Sequence, residues 1–249
     1  VTLDELRPQL ERQFRGWQAG DVPRKNIADV SHQSESTIYL VDRPDSEQSI
    51  IFAGHIAPPK NNDHEIAIEA MNEVLGGSFA ARINMNLRED KHWAYGAQSL
   101  LLDAQGQRPF VVFAPVQTDK TSESMVEIYK EVDHIRGERP PTAAEVARAK
   151  DKNTLTLAGR WETANAVANS LGEMVRFGLP DNYWNEYPDM VRSLSDDQIS
   201  SAAEDVMRPD NMIWVVVGDR DEIESKIAAL GYGDIVLMDA DGNVVEEGN

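Results

Sequence analysis

The sequence predicts an α+β fold, a mostly antiparallel sheet with helices packed on one face. Three observations carry this. Gln48–Ala57 and residues 110–116 are short runs rich in Ile, Val and Phe, bounded by turn chemistry, which is how strands read. The strand candidates 94–102 and 110–116 are joined only by residues 103–109, a connection short enough to pair them antiparallel. Three capping boxes, Thr2-Leu3-Asp4-Glu5, Thr142-Ala143-Ala144-Glu145 and Ser195-Asp196-Asp197-Gln198, each open a stretch with helical spacing.

Taken in order, Leu3, Leu6, Leu10 and Phe14 form the apolar face of a first helix that ends near Gly20. A polar, proline-containing connector then runs to Glu35. Residues 36–41 and Gln48–Ala57 are strands separated by the turn residues Arg43, Pro44 and Asp45. After the loop 58–62, Asp63 is expected to cap a helix carrying Ile66, Ala70, Met71 and Val74. Helices are predicted over 122–136, from Thr142 towards Leu157, and over 161–177, where Gly178 and Pro180 stop the chain. Ser195 opens another that ends near Met207. A strand over 212–217, a helix over 222–230, a short strand over 235–238 and a polar tail complete the chain. Trp161, Tyr183, Trp184 and Trp214 read as packing residues near helix and strand ends.

Composition narrows the function. With 41% hydrophobic and 27% charged residues, 249 residues can bury a substantial core. A net charge of -19 argues against nucleic acid or an anionic membrane as partner. The same acidity attracts basic peptides weakly or simply keeps the chain in solution. The chain has no cysteine, which excludes disulfides and thiolate zinc sites and fits periplasm and cytoplasm equally. No run is long and apolar enough to span a membrane, and the first residues do not form a signal peptide. The start at Val1 suggests a processed product or an excised piece.

The most informative stretch runs from Leu75 to Tyr95. Gly76-Gly77 ends one helix and allows a sharp turn. Phe79, Ile83 and Leu87 are spaced four apart on one face of a second, short helix, which leads into Arg88-Glu89-Asp90-Lys91 and a strand starting near Trp93. Leu75-Gly76-Gly77, Arg82, Leu87-Arg88-Glu89 and Ala94-Tyr95 resemble the segment carried by the non-catalytic half of zinc metallopeptidases of the insulinase, pitrilysin and mitochondrial-processing-peptidase group. His92-Trp93 departs from that group's glycine-leucine and leaves the arginine and tyrosine in place.

The resemblance covers nearly the whole chain and implies its organisation. These proteins repeat an α+β domain closed by strand, Gly-Asp and helix, as in Gly218-Asp219 here. Residues 1–35 are then the end of a preceding repeat and a linker, and 36–249 one complete non-catalytic domain. Zinc is expected not in this chain but in a partner domain of the same longer polypeptide or in a separate subunit. A peptide would be the substrate. The alternative within the same fold is a catalytically dead scaffold or assembly subunit.

The residues themselves agree that the chemistry lies elsewhere. The family's catalytic half uses an inverted His-x-x-Glu-His motif. Here His32, His55, His64, His92 and His134 include no two that lie three to five residues apart. Neither a Gly-x-Ser-x-Gly elbow nor a lysine at Walker spacing after Gly76-Gly77 is present. From spacing alone, Arg88 beside Glu89 and Asp90 is a solvated ion-pair residue and Tyr95 a packing residue. The resemblance implies instead that both hold a substrate backbone across a closed chamber from the zinc.

Overall fold

The computed structural model describes residues 1–23 and 25–245; the end of the expected polar tail and of the 36–249 domain, residues 246–249, lies outside them. A six-stranded sheet organises the chain. Its strands are β1 (Thr37–Asp42), β2 (Gln48–Ala57), β3 (Gln98–Leu101), β4 (Arg108–Gln117), β5 (Ile213–Gly218) and β6 (Asp234–Met238), in the order β3-β4-β2-β5-β1-β6. β2 is antiparallel to β4 and β5, and β3 is antiparallel to β4. The sheet is nevertheless mixed, because β1 runs parallel to both β5 and β6. Parallel neighbours need a long crossover, and the helices after β4 and after β5 supply it.

β1, β2, β4 and β5 alternate in burial. Ile38, Leu40, Ile51, Ala53, Phe110, Val112, Trp214 and Val216 point into one continuous core. The helices α2 (Glu65–Leu75), α4 (Thr121–His134), α8 (Asp196–Val206) and α9 (Arg220–Ala228) supply its other wall with Met71, Leu75, Met125, Ile128, Ala203 and Ile223. Each such large side chain contributes about 1.5–3 kcal/mol by leaving water. The opposite face of the sheet is open enough to leave Phe52 partly exposed, with its ring 5.1 Å from that of Phe113. Residues 30–33 border a groove of about 410 Å³ on that face.

All three capping boxes form. The first opens α1 (Leu3–Phe14), none of whose residues is buried, so its apolar face meets no core among the described residues. Asp63 is not the cap of α2. His64 occupies that position without a side-chain bond, while its amide donates to Asn62 Oδ1 at 2.9 Å. An asparagine two residues ahead bends the loop, and Asp63 is left outside the hydrogen bonding.

The predicted helix over 161–177 divides. A tight turn at Leu157–Trp161 precedes α6 (Ala164–Phe177), because Thr163 caps a new start by accepting from the Ala166 amide at 3.1 Å. Gly178 then closes α6 in the left-handed conformation. The helix α7 (Tyr183–Ser193) was not legible, since Pro180 and Pro188 masked it. Tyr183, Trp184, Tyr187 and Val191 are nonetheless buried there, in a second apolar cluster with Met174.

Candidate functional site

The stretch after α2 is built by close approach. Gly76 and Gly77 both donate their amides to the Asn72 carbonyl, at 2.9 and 2.7 Å. Neither has a positive φ among the described backbone angles, so left-handed freedom is not why glycine stands there. A Cβ on Gly76 would lie 2.5 Å from the Ser99 amide nitrogen and from its hydroxyl. That amide donates to the Gly76 carbonyl at 3.0 Å, and the Ser99 hydroxyl donates to Asn72 Oδ1 at 2.7 Å. The turn therefore covers the outer edge of β3, which would otherwise invite pairing with another strand. Gly76→Ala is expected to cost about 1–3 kcal/mol by forcing these backbones apart. A urea midpoint unchanged by the substitution would contradict that packing.

The short helix begins later than its apolar spacing suggests. Ala81 is still extended, α3 spans Arg82–Asn84, and a π-helical turn follows at Met85–Asp90. Ile83 and Leu87 are buried, but Phe79 lies before the helix and is 64% exposed. The wider π turn places Arg88 on the surface and ends at Lys91, after which His92 takes a positive φ of 59°. Trp93 is half-buried against the core, and its amide donates to the Leu87 carbonyl at 2.9 Å. Ala94 makes a single bridge to Val116, and the strand resumes only at Gln98. The expected strand start near Trp93 is interrupted because Asn84 Oδ1 accepts the Ala97 amide at 3.1 Å, pulling the chain out of the ladder.

The outcome is a hydrogen-bonded turn that carries both side chains at the surface. Tyr95 is 87% exposed, at the rim of a concavity of about 590 Å³ that Gly76, Phe79, Phe113 and Pro115 also line. The Arg88 guanidinium lies 4.5 Å from the Phe79 ring centroid, held by a cation–π contact. Its ion pair with Glu89, 3.5 Å at the surface, contributes at most about 1 kcal/mol. Phe79 thus joins Arg88 to the concavity that Tyr95 borders. The motif's other arginine behaves differently. Arg82 is buried, donates through Nε and Nη2 to Glu145 at 2.7 Å each, and reaches the carbonyls of Arg139 and Pro140. Hydrogen bonds from Arg82, offset in part by burial, hold the Glu145 carboxyl at a pKa of about 2.

Arg88 and Tyr95 offer a guanidinium fork and a phenol hydroxyl, donors suited to backbone carbonyls. Spacing alone sets Phe79 on one face with Ile83 and Leu87; in the structure it precedes the helix, which starts only at Arg82. Among the described residues no group of three or more His, Asp or Glu side chains can hold a metal ion, and no helix is long and apolar enough to cross a membrane.

Comparison with known proteins bears on the family and the fold. A family model described as "Peptidase M16 inactive domain" matches residues 1–153. No curated protein matches the chain significantly. Among solved structures, a peptidase M16 inactive domain from Pseudomonas fluorescens is 22% identical, with a TM-score of 0.67 over 78% of this chain and 46% of its own. A protease from Helicobacter pylori is 15% identical, with a TM-score of 0.77 over 88% of this chain and 53% of its own. Complex III2 from Candida albicans contains a chain 12% identical, with a TM-score of 0.70 over 96% of this chain and 57% of its own. At these identities the structures share the fold, and the present chain spans about half the length of each.

Proposed function

Because the chain belongs to the peptidase M16 family, as an inactive domain, we propose that it is the substrate-holding half of a zinc metalloendopeptidase. In this reading it closes a chamber over a peptide, and Arg88 and Tyr95 donate to the peptide's carbonyls. The observation that carries it is an 87% exposed Tyr95 at the rim of a concavity, with a lightly tethered Arg88 lying against Phe79, which lines the same concavity. Ordering these two exposed side chains costs about 0.5–1.5 kcal/mol each, which their hydrogen bonds to a ligand must offset. Donors aimed at carbonyls fix an extended backbone without selecting side chains. Near the scissile bond they also stabilise developing negative charge.

The metal, base and water belong to a catalytic domain, in the same longer polypeptide or in another subunit. Zinc bound there supplies an activated water. Residues 1–35 are proposed as the end of a preceding repeat and its linker, and 36–249 as the complete domain. The exposed apolar face of α1 supports that division, since such a face needs a partner to bury it. A second reading, a scaffold or assembly subunit without catalysis, draws support from the likeness to a chain of Complex III2 over 96% of this one.

The test is a quenched-fluorescent-peptide assay on the intact parent protein and its Arg88→Ala and Tyr95→Phe variants. Zinc content and circular dichroism are measured alongside. Loss of turnover with zinc and fold retained supports the substrate-holding role. Unchanged turnover returns both residues to the surface, and no turnover in any form favours the scaffold. The purified chain by itself is expected to cleave nothing; zinc-dependent cleavage by it would refute the division of labour.

A further inference from the structure

Asn84 lines the concavity that Tyr95 borders, yet only 4% of it is exposed. Its side chain bonds both walls. Nδ2 donates to the Phe79 carbonyl at 2.7 Å, and Oδ1 accepts the Ala97 amide at 3.1 Å, two residues beyond Tyr95. A primary amide suits this task, because one end only donates and the other only accepts. The two partners also fix which end is which: turned over, the side chain would set oxygen against carbonyl and NH2 against N–H. Asparagine is a weak helix former because its side chain competes for backbone groups. Here that tendency ties the turn before α3 to the segment after the π turn. Four residues after Asn84, on the same helical stretch, Arg88 lays its guanidinium 4.5 Å from the Phe79 ring centroid. Phe79 is therefore held twice from one stretch, by its carbonyl and by its ring. The ring is 64% exposed, so burial in the core does not account for its place.

Resting on the substrate-holding reading of Arg88 and Tyr95, we propose that Asn84 and Phe79 are positioning residues for that site. Asn84 fixes the span between the two walls, and Phe79 carries Arg88, so that the guanidinium and the Tyr95 hydroxyl meet one stretch of peptide backbone. The carbonyls of an extended peptide recur about every 3.3 Å, so two donors act together only at a set separation. Hydrogen bonds weaken steeply when misaligned, and a displaced wall leaves one donor idle. The exposed Glu89 contact does not fix the direction of a long, flexible arginine, whereas the face of a ring does. In this arrangement neither Asn84 nor Phe79 needs to touch the peptide; both act through the donors they place.

The test measures kcat/KM for a quenched fluorescent peptide on the intact parent protein, with zinc content and circular dichroism checked for each variant. Asn84→Leu keeps the volume and removes both bonds, and is expected to lower kcat/KM roughly tenfold or more. Phe79→Leu keeps apolar bulk and removes the ring face. It is expected to lower kcat/KM about two- to fivefold, the value of an exposed cation–π contact. Phe79→Tyr, which restores a ring face, should recover most of that loss. Added to the Arg88→Ala, Tyr95→Phe double variant, Asn84→Leu and Phe79→Leu should each change kcat/KM by less than about 1.5-fold, because no donor remains to be placed. Losses as large in that background as in the native one would make both residues merely structural and overturn the inference. A folded Asn84→Leu protein with native kcat/KM also overturns it. Should Asn84→Leu fail to fold, the exposed Phe79 decides, and a Phe79→Leu protein that matches the native one overturns the inference. These outcomes leave the substrate-holding reading intact wherever Arg88→Ala and Tyr95→Phe themselves lower turnover. If those two variants turn over like the native protein, that reading fails and this inference falls with it.

Discussion

Arg82→Ala is expected to destabilise the chain by about 3–5 kcal/mol, the range for removing one partner of a buried ion pair. The side chain is 3% exposed and makes two hydrogen bonds to Glu145 and one each to two backbone carbonyls. Alanine removes the donor that these four acceptors share. Glu145 also accepts from the Thr142 amide and hydroxyl at 2.9 and 2.8 Å, so the loss reaches the start of α5 (Ala143–Leu155). Acid should produce a related effect. Glu145 has a folded pKa of about 2 against a reference of 4.5, so the folded state favours its charged form. That contribution is complete above the reference value and disappears as pH falls from 4.5 towards about 2. Urea unfolding over that window should show a stability decline in the native chain that Arg82→Ala flattens. Parallel declines in the two proteins would mean that the pair is not the source.

Arg88→Ala, six residues further on, should have the opposite profile. Its ion pair is exposed and its ring contact is at the surface, so stability should change by less than about 0.5 kcal/mol. If the proposed role holds, turnover of the intact parent peptidase should fall about 10²–10³-fold, as when a donor to developing charge is deleted. Arg88→Lys should recover only part of it, because an ammonium lacks the planar fork. The decisive comparison sets turnover against the urea midpoint in the same preparations. A large stability loss without a specific fall in turnover would make Arg88 another Arg82.

The pair shows where sequence reading stops. Both arginines stand in one short motif, and local spacing treats them alike. Only the tertiary structure separates them: α5 arrives from 63 residues away to bury Arg82 against Glu145, and nothing arrives at Arg88. The ion pairs that bury Lys60 among Glu65, Glu69, Asp103 and Glu173 are illegible for the same reason, since these carboxylates are scattered over more than a hundred residues. The mixed sheet order and the helix Tyr183–Ser193, which carries Pro188 inside it, also depended on long-range packing.

What the sequence by itself determined was local: the three capping boxes and the β2 strand. Capping and periodicity act between residues a few positions apart, so their physics is written along the chain. What only the tertiary structure decided was which polar side chains are spent inside the protein and which stay available. Burial and ion pairing are set by neighbours in space, and no reading along the chain supplies those neighbours.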